Sequence, residues 1–257
     1  MNTGQTYTLL LELLFALAAG LVGCFALMKR MLLASDVLSH LALPGLGLAF
    51  LLKVNPLLGG AATLFLGTLL VWQLQKKTGL AADASIGVVF AAALAVGAAL
   101  TPSEDLLEAL FGAAQKLSLG GLLLGLAAAI GVVLAVLGFK DRLTLTVFSP
   151  ELAAATGLQV DRIELYFLLV FTVTILIGLR FMGALLSSAL IILPAATARQ
   201  LTSGLSRFMV VSMAVSVLSV LVGSLLNAFV VRASTAAPAI VIISAVLFAL
   251  SLFSRAK

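Results

Sequence analysis

Long stretches without charge are the feature that most constrains this chain. Nine apolar runs follow one another through its 257 residues. About 20 apolar residues are needed for a helix to cross a bilayer, so these runs predict transmembrane helices. Only 10% of the residues are charged and 63% are hydrophobic, whereas a soluble domain has about 25% charged residues. The pattern therefore excludes a water-soluble globular enzyme.

The runs are rich in Leu, Ala, Val and Gly and lack the alternation of a barrel strand, so they predict helices. Two of them, 165–179 and 181–198, are short for a full crossing, and we allow for one of these being broken or re-entrant. The prediction is an all-α polytopic membrane protein with eight to nine transmembrane helices, forming a single transmembrane domain over residues 1–257. The runs cover residues 9–28, 41–52 (extended back to about residue 37), 54–74, 85–101, 118–138, 165–179, 181–198, 208–231 and 233–254.

The basic residues predict how the chain is oriented in the membrane. With nine spans, eleven of the fifteen Lys and Arg residues fall on one side and four on the other. An excess of Lys and Arg marks the cytoplasmic side, so the N-terminus is expected outside and the C-terminus inside. The inner set is Lys29, Arg30, Lys76, Lys77, Lys140, Arg142, Arg162, Arg199, Arg207, Arg255 and Lys257, and the outer set is Lys53, Lys116, Arg180 and Arg232.

A short helix is predicted in the inner loop 139–162. Ser149 is a good N-cap, Pro150 suits the first helical position, and Glu151 places an acid in the first turn. Gly157 then supplies a stop signal. A helix of about two turns is therefore expected on the cytoplasmic side, between two spans.

Three ionisable residues within or beside apolar runs are candidates for function: Glu12, Asp36 and His40. Asp36 and His40 are four residues apart, which in a helix places them on one face about 6 Å apart along the axis. A carboxylate and an imidazole at this spacing suit Mn, Fe or Zn. The spacing leaves two alternatives open: a helix N-cap with an interfacial histidine, or a proton relay.

Two prolines predict helix breaks near this candidate path. Pro44 has no N–H to donate to the carbonyl of His40, so in a continuous helix that oxygen would be free for a ligand. Gly45 next to it permits a kink or a close helix approach. Pro194 would free the carbonyl of Leu190 in the same way.

Motifs for nucleotide hydrolysis and other catalysis are missing from the sequence. It contains no G-x-x-x-x-G-K-[ST], no H-E-x-x-H and no G-x-S-x-G. The chain is therefore expected to be a non-enzymatic subunit, and any dependence on ATP must come from another subunit.

Five segments resemble a known family, the membrane permeases of metal-ion ABC transporters of the zinc, manganese and iron uptake class. They run in the family's order along the chain. They are SDVLSHLALPG at 35–45, DASIGVVF at 83–90, LFG at 110–112, SPELAAATGL at 149–158 and GALLSSALIILPAATAR at 183–199.

This resemblance implies a homodimeric pore in the bacterial cytoplasmic membrane, with a cytoplasmic ABC ATPase dimer and an extracytoplasmic metal-binding protein as partners. It implies no nucleic-acid partner and no permanently bound cofactor, only a translocated divalent metal ion. Asp36 and His40 would contact that ion. The inner helix would be the coupling helix that docks on the ATPase, with the family's motif at Ser149, Pro150, Glu151, Ala153, Gly157 and Leu158.

Two other kinds of protein remain as alternatives. An ion-coupled secondary carrier would work without an ATPase and could use Asp36 and His40 as a proton relay. The inner helix between spans, and the lack of matching broken helices in two inverted halves, argue against it. A structural or assembly subunit is the third hypothesis, but it would have no use for a coupling helix.

Overall fold

The computed structural model describes residues 3–100, 119–231 and 236–253, and every regular element within these ranges is helical. Six of the helices in these ranges are long and apolar enough to cross a membrane. The α-helices are α1 (Thr3–Met28), α2 (Ala34–Ser39), α3 (Leu43–Leu52), α4 (Pro56–Thr78), α5 (Ala82–Leu100), α6 (Leu119–Phe148), α7 (Pro150–Ala155), α8 (Val160–Phe181), α9 (Ala184–Leu201), α10 (Leu205–Leu226) and α11 (Ala237–Phe253). A 3-10 turn covers His40–Ala42, and a π-helical turn, Asn227–Val231, follows α10.

Helix α4 shows how local sequence sets the limits of a span. The Asn55 side chain accepts a hydrogen bond from the Leu57 N–H at 2.9 Å, and Pro56 occupies the first helical position. At the other end, Gly79 adopts φ +67° and its N–H bonds to the Gln75 carbonyl. This left-handed conformation favours glycine and closes the last turn.

The break among the predicted spans lies in the second run and not in the two short ones. The runs 165–179 and 181–198 lie within α8 and α9, which are 22 and 18 residues long and are both span candidates. Both helices are continuous, so our allowance for a broken segment there was wrong. The chain instead changes from α-helix to 3-10 turn and back to α-helix between residues 34 and 52. Pro44 has no N–H for the His40 carbonyl, so one bond of the α-helical ladder is missing there and the chain forms a 3-10 turn, whereas α9 continues through Pro194.

Helix α6 is longer than a bilayer requires. Its 30 residues span about 45 Å, whereas the hydrocarbon core of a bilayer is about 30 Å thick. Its last turns, with Lys140 and Arg142, therefore extend beyond the apolar run and lead directly into α7. The short helix α7 thus follows directly after the end of this long helix.

The helices pack in two groups. In the larger group α1 packs against α6, α9 and α10, α11 packs against α9 and α10, and α8 packs against α6 and α9. In the apolar segment of α1, 67% of the residues are buried, whereas in that of α4 only 28% are buried. In the smaller group α3, α4 and α5 pack against one another and around the 3-10 turn. Between these two groups, the main contacts in the described part of the chain run from α4 to α8 and from α2 to α8 and α9.

Candidate functional site

Asp36 and His40 lie at the break in the second span. Asp36 is exposed in the first turn of α2, and His40 opens the 3-10 turn with its side chain partly exposed. The N-cap of α2 is Leu33, which makes no side-chain capping bond. Asp36 is therefore not the N-cap, and that alternative for its role is removed.

The carbonyl of His40 is not free, contrary to our expectation. Pro44 cannot donate to it, but the chain tightens into a 3-10 turn and the Leu43 N–H donates to this oxygen instead. A bond from residue i+3 replaces the missing bond from residue i+4. The candidate site thus has the imidazole of His40 but no unpaired His40 carbonyl beside it.

Two serines in the same segment hold its backbone. Ser35 Oγ donates to the Leu32 carbonyl at 2.9 Å, and Ser39 Oγ donates to the Asp36 carbonyl at 2.6 Å. Both side chains are buried. Sequence reasoning did not assign them a role, although serine bonding to a carbonyl three or four residues earlier is a known local pattern.

Helix α5 supplies an aromatic neighbour for His40. The ring centroids of His40 and Phe90 are 5.9 Å apart and the rings are tilted by 49°. Phe90 ends the segment 83–90, which the family resemblance had marked without connecting it to His40. This contact restricts where the imidazole can turn, because one side of the ring is occupied.

Pro44 and Gly45 are buried at the start of α3. A side chain at Gly45 would overlap the Gly59 carbonyl of α4, and a side chain at Gly59 would overlap the Gly45 carbonyl. The break is therefore packed directly against the backbone of α4. Pro194 is also buried, but α9 continues through it without interruption, so no helix break occurs there.

Glu12 lies apart from the other two ionisable candidates. Ser224 Oγ on α10 approaches its carboxylate at 3.5 Å. No three His, Cys, Asp or Glu side chains within the described ranges come together as a metal site. The described part of one chain thus offers Asp36 and His40 without a third side chain of these types beside them.

The predicted inner helix is present as α7. Pro150 is its first residue and Glu151 lies in its first turn, but the Ser149 side chain makes no capping bond. Gly157 adopts φ +82°, and the N–H groups of Gly157 and Leu158 bond to the carbonyls of Ala154 and Ala153. Its six residues make about 1.7 turns, in line with the roughly two turns expected.

Most of α7 is open to an external partner. Ala153 is fully buried, whereas Pro150 and Glu151 are exposed. Phe148 is 71% exposed and Leu152 is 53% exposed. A large aromatic and a leucine exposed beside charged residues form an apolar surface of the kind that a protein partner or a membrane covers.

The fold, the break in the second span at His40 and the exposed helix α7 define a multi-pass α-helical membrane permease with an exposed helix between spans. The chain belongs to the ABC 3 transport family, whose model matches residues 5–255. It is a permease subunit of an ABC transporter, which decides against the secondary carrier and the structural subunit. The segment LFG at 110–112, which contributed to the resemblance, lies outside the described residues.

The names of similar proteins refer to different metals. The chain is 32% identical over 255 residues to the high-affinity zinc uptake system membrane protein ZnuB of Haemophilus influenzae, covering 97% of each chain. It is 30% identical over 260 residues to the manganese import system permease protein ScaB of Streptococcus gordonii, covering 97% of this chain and 90% of the other. Among solved structures, it is similar to PsaBC from Streptococcus pneumoniae in complex with Fab, with a TM-score of 0.82, 25% identity and coverage of 99% and 93%.

Proposed function

We propose that this permease imports a divalent first-row metal ion, zinc or manganese, along a path that passes Asp36 and His40. The names of its relatives support both metals. A carboxylate with an imidazole suits either ion. The single observation that carries the path is the position of the pair: both side chains are at least partly exposed at a break in a membrane span.

The pair is an incomplete ligand set, which supports a dimeric pore. Zinc usually takes four ligands in proteins, and the described part of one chain brings no third His, Cys, Asp or Glu to the pair. A second copy related by two-fold symmetry would add another Asp36 and His40. The homodimer would then hold the ion between its two copies, with water able to complete the coordination.

The exposed helix α7 supports docking on an ATPase. We infer that the segment 149–158 is the coupling helix and that Phe148 and Leu152 insert into the ATPase surface. Ser149, Pro150 and Glu151 begin this segment, and Gly157 and Leu158 end it. Closure of an ATPase dimer would move two such helices together, and a metal-binding protein would deliver the ion from the other side.

The helices support nine crossings of the bacterial cytoplasmic membrane. This count treats α2, the 3-10 turn and α3 as one crossing and includes α5 and α11, which are shorter apolar helices. With the larger set of basic residues in the cytoplasm, the N-terminus lies outside and the C-terminus inside. Residues 1–257 then form one transmembrane permease domain.

Metal uptake by liposomes containing the permease, its ATPase and its metal-binding protein tests the path. His40→Ala and Asp36→Asn should each lower the initial rate of Mn²⁺ or Zn²⁺ uptake about 10-fold or more, because even an outer-shell partner of a metal site has effects of this size. Binding of the ATPase should not change. Asp141→Asn is the matched control, because Asp141 is an exposed carboxylate near the end of α6.

Unchanged rate and affinity for both ions in both variants would remove the pair from the path. A loss that also appears in Asp141→Asn would indicate a general effect of surface charge. If the wild-type protein with its ATPase and its metal-binding protein moves neither ion, the substrate assignment itself is wrong.

A further inference from the structure

The α4–α8 interface is where polar side chains join the two groups of helices. Thr68, Trp72 and Lys76 follow one another at intervals of four residues and thus share one face of α4. They meet Asp161 and Thr172, which are three helical turns apart on α8. The smaller group contains the 3-10 turn with His40, and the larger group contains α6 and α8, which flank the exposed helix α7.

We propose that the α4–α8 interface transmits movement of the coupling helix to the metal path, with Trp72, Thr68 and Thr172 as positioning residues for transport. This proposal rests on the proposed function, because it presumes that α7 docks on an ATPase and that Asp36 and His40 contact the ion. It assigns a role to residues that neither bind metal nor touch the ATPase.

The cytoplasmic end of the interface is tied to the start of α8. Trp72 Nε1 donates to the Asp161 carbonyl at 3.0 Å, and Lys76 Nζ lies 3.2 Å from Asp161 Oδ2. Lys76 Nζ also lies 5.2 Å from the centroid of the Trp72 ring. Asp161 is in the first turn of α8, only a short connection beyond the end of α7 at Ala155. A shift of α7 would therefore reach α4 through the short connection to α8 and the contacts of Asp161.

The membrane-embedded part of the interface contains a buried pair of hydroxyl groups. Thr68 Oγ1 and Thr172 Oγ1 are 2.7 Å apart, and each also lies within hydrogen-bond distance of a carbonyl in its own helix. Each hydroxyl has one proton, so one of them must donate across the interface while the other bonds within its helix. Apolar surroundings offer no water as a substitute partner. This bond fixes how α4 and α8 are aligned along their axes.

The far end of α4 is in contact with the metal path. The Gly45–Gly59 contact leaves no room between α3 and α4, and the 3-10 turn also packs on α4. Packed backbones move as a unit or slide by small steps, because the interface cannot be compressed. Movement of α4 thus displaces the segment that holds Pro44 and His40.

The test is the number of metal ions moved per ATP hydrolysed, measured with Mn²⁺ in liposomes containing the permease, its ATPase and its metal-binding protein. Trp72→Phe keeps a ring but loses the N–H donor, and Thr172→Val keeps the shape but loses the hydroxyl. Each should lower this ratio about 2- to 10-fold, the range expected for one hydrogen bond. ATPase binding should stay unchanged.

Two matched controls change similar groups that do not cross the interface. Tyr166→Phe removes an O–H that donates to the Ala135 carbonyl at 2.9 Å, but this bond joins α8 to α6 within the larger group. Thr174→Val removes a buried hydroxyl that bonds to the Val170 carbonyl of its own helix. Both should keep the wild-type ratio.

A ratio in Trp72→Phe and Thr172→Val equal to that of the controls would overturn the proposal while leaving the proposed function intact. Failure of the wild type to bind the ATPase or to move Mn²⁺ and Zn²⁺ would instead overturn the proposed function. If Trp72→Phe does not assemble, Thr172→Ser decides, because it restores the hydroxyl and should restore the ratio that Thr172→Val loses. A Thr172→Ser ratio as low as that of Thr172→Val would contradict the role of the hydroxyl pair.

Discussion

Gly45 and Gly59 bring the backbones of α3 and α4 into contact, and this contact depends on two absent side chains. Small residues at helix interfaces in membranes allow such close approach. Gly60, one position along α4, is different: a Cβ there would have its nearest neighbours at 3.5 Å, an ordinary van der Waals distance. Two adjacent glycines of one helix therefore have unequal roles.

At this residue scale, Gly59→Ala should destabilise the protein by about 1–3 kcal/mol, the usual cost of overpacking. The new methyl group would overlap the Gly45 carbonyl and lie 2.7 Å from the Ala49 Cβ. Gly60→Ala should be neutral or stabilising by up to about 1 kcal/mol, because alanine is the better helix former. Thermal unfolding in detergent measures both. Equal midpoints for the two variants would show that the contact is not tight in solution.

At the scale of an element, α7 is too short to be stable by itself. Six residues are fewer than an isolated helix needs in water, so the surroundings of α7 must hold it. Ala153 is fully buried, and the bonds at Gly157 close the C-terminal end. Nothing lies within 4 Å of a Cβ added at Gly157, so only the backbone conformation requires glycine there.

Gly157→Ala should therefore weaken docking of the ATPase, because φ +82° is unfavourable for alanine. We expect a loss of affinity of about 3- to 10-fold, corresponding to about 1 kcal/mol of strain. Gly157→Asn should lose less, since asparagine tolerates this conformation. Gly138→Ala is the control, because Gly138 lies inside α6 with open space around it. ATPase affinity in detergent is the measurement, and a drop in Gly138→Ala as large as that in Gly157→Ala would argue against a local cause.

At the scale of the whole molecule, the unequal distribution of basic residues predicts which loops face the cytoplasm. Lys53 lies between α3 and α4, and Lys77 lies at the other end of α4; both are exposed. The charge count places Lys53 outside and Lys77 inside. Cys24, the single cysteine, is fully buried, so replacing it leaves an introduced cysteine as the one thiol that a labelling reagent can modify.

In a Cys24→Ala background, Lys53→Cys should react with a membrane-impermeant maleimide in intact spheroplasts. Lys77→Cys should react only after permeabilisation, because the bilayer excludes the reagent. Labelling is quantified by the mass shift of the purified protein. The reverse pattern would invert the orientation and place α7 on the wrong side for an ATPase.

The sequence by itself determined the features that depend on near neighbours along the chain. Apolar runs predicted the helices, because hydrocarbon leaves the backbone no partners except its own. Ser149, Pro150 and Gly157 predicted where α7 begins and ends, and only the Ser149 capping bond is missing. The pair of Asp36 and His40 was visible from its spacing, although its role as a metal path remains a proposal.

The tertiary structure alone decided what depends on distant residues. It placed the break at residues 40–42 and not in the runs 165–179 or 181–198, and it gave the His40 carbonyl a partner. Thr68 and Thr172 are 104 positions apart, and no local pattern links them. Helices of similar apolar composition can pack in many ways in a membrane, so the order of polar contacts between them becomes known only when they are packed together.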